Sequence, residues 1–204
     1  MNLPKRGLYA ITQTDGKTMD QVVEEVSAAI RGGAVMVQYR DKQPLDALRL
    51  GQALLDLCRD AEVPLIVNDD IDLAATIGAD GVHLGRDDDS IDYAKQRLGQ
   101  QAIIGISCYD SLDRALIAER QGATYVAFGR FFPSGTKPLA SPARLATLRE
   151  AKRSLTIPTV AIGGILPSNG RQLIDAGADL LAVVGGVFDH DPESSARALQ
   201  ALFD

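Results

Sequence analysis

The chain alternates short apolar runs with longer segments whose apolar residues recur at helical spacing. The short runs are rich in β-branched residues and mostly lack polar alternation, which is typical of parallel strands buried on both faces. Eight such runs lie at residues 8–12, 34–40, 64–69, 81–85, 103–108, 125–130, 159–164 and 180–186.

The segment Met19–Arg31 represents the longer stretches. Val22, Val26 and Ile30 recur at helical spacing, and acidic residues are concentrated near the start. Because the helix dipole favours acids at its amino end, this arrangement predicts an amphipathic helix. Eight strand-helix units predict an α/β fold, a (β/α)8 TIM barrel, as a single domain over residues 1–204. The alternative is an open doubly wound sheet, which needs a long crossover that the sequence does not offer.

An internal repeat supports the barrel. Glycine-led triplets precede the second, fourth, sixth and eighth strands, and matching positions recur after about 90 to 100 residues, which indicates two half-barrels. We expect the first glycine of each triplet to end its helix in the left-handed conformation. The triplets are Gly32-Gly33-Ala34, Gly78-Ala79-Asp80, Gly122-Ala123-Thr124 and Gly177-Ala178-Asp179.

Composition narrows the function classes. The chain has 204 residues, 46% hydrophobic, which is enough for one substantial core. A net charge of −6 without any Lys/Arg cluster argues against nucleic-acid binding. No apolar run approaches the length of a membrane span, no signal peptide precedes the first strand, and the two cysteines show no paired spacing. We therefore expect a soluble, cytoplasmic protein without a membrane or nucleic-acid partner, in which local basic residues are still able to bind a small phosphate ester. The sequence leaves its oligomeric state open, with a homo-oligomer among the options.

Polar residues that are out of character in buried strands fall at the carboxyl ends of those strands. Gln38 and Arg40 end the second, Asn68 and Asp69 the third, and Ser107 the fifth. Any one of them could be an ordinary surface polar group. Their coincidence at one end of the predicted barrel indicates a site there, since that end is the catalytic face of such barrels.

Two acidic segments predict a divalent cation site. Asp69 ends the third strand, and Asp88 lies in the acidic loop after the fourth. Mg²⁺ takes oxygen ligands, commonly one or two carboxylates completed by waters and substrate phosphates. The alternative is structural: Asp70 caps a helix that begins near Ile71, and residues 87–89 form a solvated turn.

Two glycine pairs predict a phosphate site. Gly163-Gly164 precedes Ile165, and we interpret this segment as a strand turning into a helix N-terminus, whose N–H groups bind anions. Gly185-Gly186 supplies the neighbouring wall, because phosphate sites often lie in the loops after strands seven and eight.

The longest loop, residues 129–142, follows the sixth strand and carries hydroxyls and a cation. It is interpreted as a lid that excludes water from a phosphorylated substrate, or alternatively as a solvated connection. His83 is expected inside the barrel rather than as a general base, and Cys108 is expected to be a passive thiol.

Taken together, six motifs resemble the thiamine phosphate synthase family, in its order and over nearly the whole chain. They are Gln38-Tyr39-Arg40-Asp41-Lys42, Asn68-Asp69-Asp70, Gly81-Val82-His83-Leu84-Gly85, Gly105-Ile106-Ser107, Pro133-Ser134-Gly135-Thr136-Lys137 and Ala161-Ile162-Gly163-Gly164-Ile165. The resemblance implies a barrel that joins 4-amino-5-hydroxymethyl-2-methylpyrimidine diphosphate to a thiazole phosphate, in plain or carboxylated form. The products are thiamine phosphate and pyrophosphate.

The resemblance also implies roles for individual residues. The pyrimidine diphosphate would contact Gln38, Tyr39, Arg40, Asp41, Lys42, Asn68 and Ser107, with Lys137 on its diphosphate. The thiazole phosphate would contact Ser134, Gly135, Thr136, Gly164, Val184 and Gly185, and Mg²⁺ would bind Asp69 and Asp88. The chain departs from the family pattern at Gly185, where a hydroxyl residue is common, and Gly135 loosens the predicted lid.

The implied chemistry requires stabilisation of a leaving group and no proton-transfer residue. If diphosphate departs first, the pyrimidine methylene becomes a cation that the thiazole nitrogen attacks. Arg40 and Lys137 are the predicted catalytic residues, because with Lys42 and Mg²⁺ they would neutralise charge developing on pyrophosphate.

Two other functions remain open at the level of sequence. A thiazole tautomerase on a similar barrel would move a proton with a histidine and would have no pyrophosphate to stabilise. A noncatalytic phosphate-binding regulator would bind ligand without Mg²⁺-dependent turnover.

Overall fold

The computed structural model describes residues 1–85, 90–133 and 142–204. Within them, parallel strands pair in chain order and close into a barrel, with Gly7 and Leu180 in register where the first strand meets the last. The predicted (β/α)8 barrel is confirmed, and the open doubly wound sheet is excluded. The strands are β1 (Gly7–Ile11), β2 (Met36–Tyr39), β3 (Leu65–Asn68), β4 (Gly81–Leu84), β5 (Ile103–Tyr109), β6 (Tyr125–Gly129), β7 (Thr159–Ile162) and β8 (Leu180–Val183).

Helices follow the strands and cover the barrel. They are α1 (Met19–Arg31), α2 (Ala47–Asp60), α3 (Ile71–Ile77), α4 (Ile91–Leu98), α5 (Leu112–Gln121), α6 (Leu145–Ser154), α7 (Arg171–Asp175), α8 (Gly185–Phe188) and α9 (Pro192–Gln200), with a final 3₁₀ turn at Ala201–Phe203. None of the helices in the described part of the chain is long and apolar enough to cross a membrane.

Helix α1 has the bounds that its pattern predicts. Thr18 and Gln21 form a capping box at its start, which satisfies two backbone N–H groups that would otherwise lack partners. Val22 and Val26 are buried on its inner face, and Arg31 lies in the last turn, where a cation complements the dipole. Local sequence therefore fixes both ends of this helix.

The strands bury side chains in two separate layers because neighbouring residues point to opposite faces. One layer fills the barrel interior and includes Tyr9, Met36, Ile66, Tyr125 and Val160. The other lies between the barrel and the helices, and its members include Leu8, Val37, Tyr39, Leu65, Val67, Val126 and Phe128.

The two half-barrels close their lower ends, the amino ends of the strands, in the same way. The Asp80 carboxylate accepts a hydrogen bond from the Leu65 N–H at 3.0 Å, and Asp179 accepts one from the Thr159 N–H at 2.9 Å. Each aspartate precedes an even-numbered strand and holds the start of the strand before it. The sequence repeat therefore corresponds to a repeated hydrogen-bonded closure.

The glycine prediction holds at three of its four positions. Gly78, Gly122 and Gly177 have φ angles of 75°, 90° and 114° after their helices. It is wrong at Gly32, which has an ordinary helical φ of −74°, while the next residue, Gly33, takes the positive angle. Gly32 lacks a side chain for another reason: a Cβ there would lie 2.7 Å from the Ala196 Cβ, so α9 packs directly on it.

Candidate active site at the carboxyl ends of the strands

The end of β2 carries Gln38 and Arg40 on one side and Tyr39 on the other. Gln38 is 2% exposed and belongs to the barrel interior, where its Nε2 donates to the Tyr9 hydroxyl at 2.7 Å. The backbone of Arg40 is fixed by Thr12, a buried residue just after β1, through hydrogen bonds to both its N–H and its carbonyl. Thr12 is a supporting residue that sequence reasoning missed, because its partner lies 28 positions away.

Tyr39 faces away from the interior. Its ring lies in the layer between strands and helices, close to Gly51 of α2, and its hydroxyl has no hydrogen-bond partner within the described residues. Burial, with the nearby carboxylates of Asp41 and Asp46, raises the pKa of Tyr39 to about 12. The structure thus does not bring the Tyr39 side chain together with Gln38.

The loop after β2 holds Asp41 and Lys42. The Asp41 carboxylate accepts a hydrogen bond from the Gln43 N–H at 2.9 Å, which is a local turn contact. Lys42 is exposed at the same end of the barrel as Arg40. Two cations therefore lie on the β2 side of the barrel mouth.

Asn68 and Asp69 turn sharply at the end of β3. Asp69 has a left-handed backbone with φ of 63°, its N–H donates to the His83 carbonyl at 2.8 Å, and its carboxylate accepts from Asn68 Nδ2 at 2.5 Å. Asp70 caps α3 by accepting from the Leu73 N–H. The chain thus separates two adjacent carboxylates: Asp70 stabilises a helix, while Asp69 is exposed at the barrel mouth.

The proposed second metal ligand, Asp88, lies outside the described residues. Within those residues, no group of three or more His, Cys, Asp or Glu side chains is arranged to hold a metal ion. Asp69 fits Mg²⁺ in kind, since it presents carboxylate oxygen at the rim, and completion by water and substrate oxygens suits this ion.

β5 brings Ser107 to the same end, at an irregularity in the pairing with β6. His83 of β4 lies in the interior, 9% exposed, with Nε2 2.9 Å from Ser107 Oγ and Nδ1 3.0 Å from the Tyr125 hydroxyl. Cys108, beside Ser107, is buried, and burial raises the pKa of its thiol to about 12, so it is a poor nucleophile.

The loops after β6 and β7 pack on one another. Phe131 and Phe132 donate their N–H groups to the carbonyls of Ile162 and Gly163 at 3.1 and 3.0 Å. Gly164 has φ of 64°, and a Cβ there would lie 2.9 Å from Phe132 Cβ and closer still to the Pro133 carbonyl. Gly163 has φ of 105°, and a Cβ there would overlap the Arg130 Cβ, so both glycines are required where one loop covers the other.

The prediction that Gly164 leads directly into a helix is wrong. β7 ends at Ile162, a turn follows, and α7 begins only at Arg171. Asn169 fastens this turn, donating to the Gly164 carbonyl at 3.0 Å and accepting from the Leu166 N–H at 2.8 Å. A side-chain hydrogen bond across five residues replaces the expected helix start.

After β8, Val184 precedes the short helix α8, which begins at Gly185. Gly185 and Gly186, expected to end the eighth strand, instead form the first turn of this helix. The structure places Gly164, Val184 and Gly185 just beyond the carboxyl ends of the neighbouring strands β7 and β8, with Gly185 as the first residue of α8. Ser134, Gly135, Thr136 and Lys137 lie outside the described residues.

Comparison with known proteins agrees with this arrangement. A family model described as thiamine monophosphate synthase matches residues 8–187. The chain is 56% identical over 203 residues to the thiamine-phosphate synthase of Methylococcus capsulatus, covering 98% of this chain and 90% of the relative. It is 51% identical over 201 residues to that of Nitrosococcus oceani, covering 97% and 93%.

Among solved structures, a thiamine phosphate pyrophosphorylase from Pyrococcus furiosus superposes with a TM-score of 0.88 at 36% identity. The match covers 98% of this chain and 96% of that one, so it spans the entire barrel. The chain belongs to the thiamine monophosphate synthase family.

Proposed function

We propose that this protein condenses 4-amino-5-hydroxymethyl-2-methylpyrimidine diphosphate with a thiazole phosphate to give thiamine phosphate and pyrophosphate. One observation carries the proposal: in a member of this family, the barrel mouth combines the cation Arg40 and the carboxylate Asp69 with the paired glycines after β7. Those are the group types that a diphosphate, a divalent cation and a phosphate ester require. The thiazole phosphate is accepted in plain or carboxylated form; the plain form gives these two products alone, whereas the carboxylated form would also release CO2, with a proton taken up at the carbon that loses it.

The reaction is a substitution at the pyrimidine methylene. The C–O bond to diphosphate breaks with its electron pair leaving on pyrophosphate, and the ring amine stabilises the resulting cation. The thiazole nitrogen then supplies the electron pair of the new C–N bond. No proton is transferred at the reacting carbon, so the protein acts by charge stabilisation and positioning.

In this proposal, Arg40 and Lys42 contact the departing diphosphate from the β2 side, and Lys137 contacts it from the loop after β6. Asp69 and Asp88 would hold Mg²⁺, which supplies further neutralisation of the phosphate oxygens when bound. Asp41 shapes the loop through its bond to Gln43, which orients Lys42. Tyr39 contributes through its backbone, because its ring is directed toward α2.

Gln38, Asn68 and Ser107 bind the pyrimidine, and the loops after β6, β7 and β8 bind the thiazole phosphate. For that phosphate we propose Gly164, Val184 and Gly185, with Ser134, Gly135 and Thr136. In α8 the N–H groups of Val187 and Phe188 donate to the Val184 carbonyl, whereas those of Gly185 and Gly186 have no acceptor within the helix. These two backbone donors are available where Gly185 lacks a hydroxyl.

A cytoplasmic location is part of the proposal. Cys58 and Cys108 are both free and buried, which suits a reducing compartment.

The test mixes purified protein with both substrates, in Mg²⁺ or in EDTA, and follows thiamine phosphate by its fluorescent oxidation product. Product with Mg²⁺ and none with EDTA supports both the reaction and the metal. Equal product in both leaves the synthase but removes the metal from the mechanism. Absence of product while thiazole phosphate still binds contradicts the synthase and favours a tautomerase or regulator.

A further inference from the structure

A chain of five hydrogen-bonded side chains crosses the interior of the barrel. It runs from β2 through β1, β6 and β4 to β5, and links two residues of the proposed pyrimidine site. The contacts are Gln38 Nε2 to Tyr9 Oη at 2.7 Å, Tyr9 Oη to Tyr125 Oη at 3.0 Å, Tyr125 Oη to His83 Nδ1 at 3.0 Å, and His83 Nε2 to Ser107 Oγ at 2.9 Å.

The series of contacts is geometrically possible because a glycine, Gly105, lies between two of its members. Strand β5 lies between β4 and β6, and its residue Gly105 is in register with both His83 and Tyr125. A Cβ at Gly105 would overlap the Tyr125 ring. Without it, the Tyr125 ring stacks beside His83, with centroids 5.6 Å apart at 22°, and reaches across the strand between them.

Because the five hydrogen-bonded side chains are largely buried, each hydrogen bond between them has a defined donor and acceptor. Tyr9 and Tyr125 are at most 1% exposed, and Gln38 is 2% exposed, so bulk water cannot replace a missing partner. Burial raises the pKa of both tyrosines above the ordinary value, which keeps the hydroxyls protonated. Each hydroxyl therefore has one proton to donate.

The donor in each of these hydrogen bonds can be derived by starting from Gln38. Because Gln38 Nε2 donates to Tyr9, the Tyr9 proton goes to Tyr125. The Tyr125 proton then goes to His83 Nδ1, which leaves the imidazole proton on Nε2. His83 Nε2–H donates to the Ser107 hydroxyl oxygen. The proton of the Ser107 hydroxyl is therefore not used within this series of hydrogen bonds and points away from His83.

The two terminal residues of the series, Gln38 and Ser107, then offer an acceptor and a donor, respectively. Among the described residues, no donor bonds the Gln38 amide oxygen, which is left as an acceptor, and the Ser107 hydroxyl is left as a donor. An aminopyrimidine offers the complementary pair, an amine that donates and a ring nitrogen that accepts. Rotating the Gln38 amide by half a turn would reverse every bond and invert both ends together.

We propose that Tyr9, Tyr125 and His83 are positioning residues that fix Gln38 as acceptor and Ser107 as donor toward the pyrimidine substrate. The inference rests on the proposed function for the identity of that substrate. The part of the proposal that concerns structure alone is that one set of donors and acceptors fixes the tautomer of His83. This can be tested without measuring turnover.

The first experiment reads that tautomer by long-range ¹⁵N–¹H correlation NMR at one fixed pH. The chain has two histidines, so His190→Gln assigns the spectrum. We expect neutral His83 to carry its proton on Nε2. In Tyr9→Phe, which removes a hydroxyl two bonds away from the imidazole, and in Tyr125→Phe, we expect a mixture of the two tautomers. A proton on Nδ1 in the unmodified protein, or one unchanged tautomer in both variants, overturns the proposal.

The second experiment measures steady-state kinetics on the same variants. Loss of ordering weakens substrate binding, so KM for the pyrimidine diphosphate should rise about tenfold in each, with KM for the thiazole phosphate and kcat little changed. Tyr93→Phe is the matched control, since its hydroxyl bonds Asp72 on the outer surface, and it should move neither readout. Unchanged pyrimidine KM in a variant with mixed tautomers overturns the positioning role. Lack of turnover in the unmodified protein instead refutes the proposed function and leaves the tautomer result standing.

Discussion

The Thr12 hydroxyl holds the backbone of Arg40 by two hydrogen bonds, accepting from its N–H and donating to its carbonyl, each at 2.9 Å. Thr12→Val keeps the shape of the side chain and removes both bonds. We expect the free energy of unfolding to fall by about 1–3 kcal/mol, because buried backbone groups lose their partner. KM for the pyrimidine diphosphate should rise as Arg40 is released.

Thr124 provides the matched control for this variant. Its hydroxyl makes the same pair of bonds with the backbone of Ile104, at 2.8 and 3.1 Å, at the lower end of the barrel. Thr124→Val should lose comparable stability in urea unfolding without a change in KM. An equal rise in KM in both variants would show that Thr12 acts on overall stability alone.

Asp69 is expected to be essential for Mg²⁺-dependent turnover. Asp69→Ala should abolish turnover while leaving the fold intact. Asp69→Asn tests the charge alone, since Asn tolerates the left-handed φ of 63° and has nearly the same size. We expect kcat to fall by about 100-fold or more, measured across a Mg²⁺ titration.

The neighbouring carboxylate serves as the control. Asp70→Asn keeps the helix cap, because Asn and Asp cap equally well, and should leave turnover nearly unchanged. A near-normal rate in the Asp69 variants would remove this residue from the metal site.

Gly164 is expected to tolerate no side chain. Gly164→Ala combines a left-handed backbone with overlap against the loop after β6, whereas Gly16→Ala has a similar φ of 74° in open space. Conformational strain of about 1 kcal/mol should affect both. Gly164→Ala should lose about 1–3 kcal/mol more, and KM for the thiazole phosphate should rise. Equal destabilisation of the two variants would show that the loop yields without cost.

Glu119 should make stability depend on acid pH. Its carboxylate accepts from the Thr156 hydroxyl and N–H and from the Ile157 N–H, at 2.8, 2.7 and 3.1 Å, which holds the pKa of Glu119 below its ordinary value of 4.5. A pKa lowered in the folded state adds stability above the ordinary value, and that stability is lost as pH falls through the folded value.

The variant Glu119→Gln keeps an acceptor and removes the charge. Its free energy of unfolding should fall less steeply than that of the unmodified protein between about pH 5 and pH 3. Thr156→Val, which removes one of the three bonds, should give an intermediate slope. Urea unfolding at each pH measures this, and parallel curves for all three proteins would contradict the prediction.

The barrel could be predicted from sequence because its strands are buried on both faces, and such strands are apolar runs that local patterning reveals. Helix α1 was predicted over its observed length because its apolar residues recur at helical spacing and its acidic residues lie near the start. The structure adds the local groups that hold its ends, Thr18 and Gln21 at the start and Arg31 in the last turn. The predicted helix start after Gly164 was wrong because a turn stands there, held by the Asn169 side chain together with two backbone bonds to the Leu166 carbonyl. A glycine pair in the sequence fits either outcome.

The site was predictable in its location but only partly in its internal order. Because side chains alternate in direction along a strand, Gln38 and Arg40 lie on one side of β2 and Tyr39 faces outward. Assigning the whole motif Gln38–Lys42 to the substrate overlooks this difference. The contacts of Thr12 with Arg40 and of Tyr9 with Tyr125 join strands distant in sequence. No local pattern encodes such pairs, since they depend on how the barrel closes.

The hydrogen bonds that Asp80 and Asp179 accept stabilise the fold at the end of the barrel opposite the candidate active site. Both lie at the lower end, and each half of the chain carries its own. Loops at the opposite end are therefore free to diverge between the halves. In the proposed function, most contacts to the pyrimidine diphosphate come from the first half of the chain, and the contacts to the thiazole phosphate come from the second. A symmetric scaffold with asymmetric loops gives one enzyme two different substrates on a single frame.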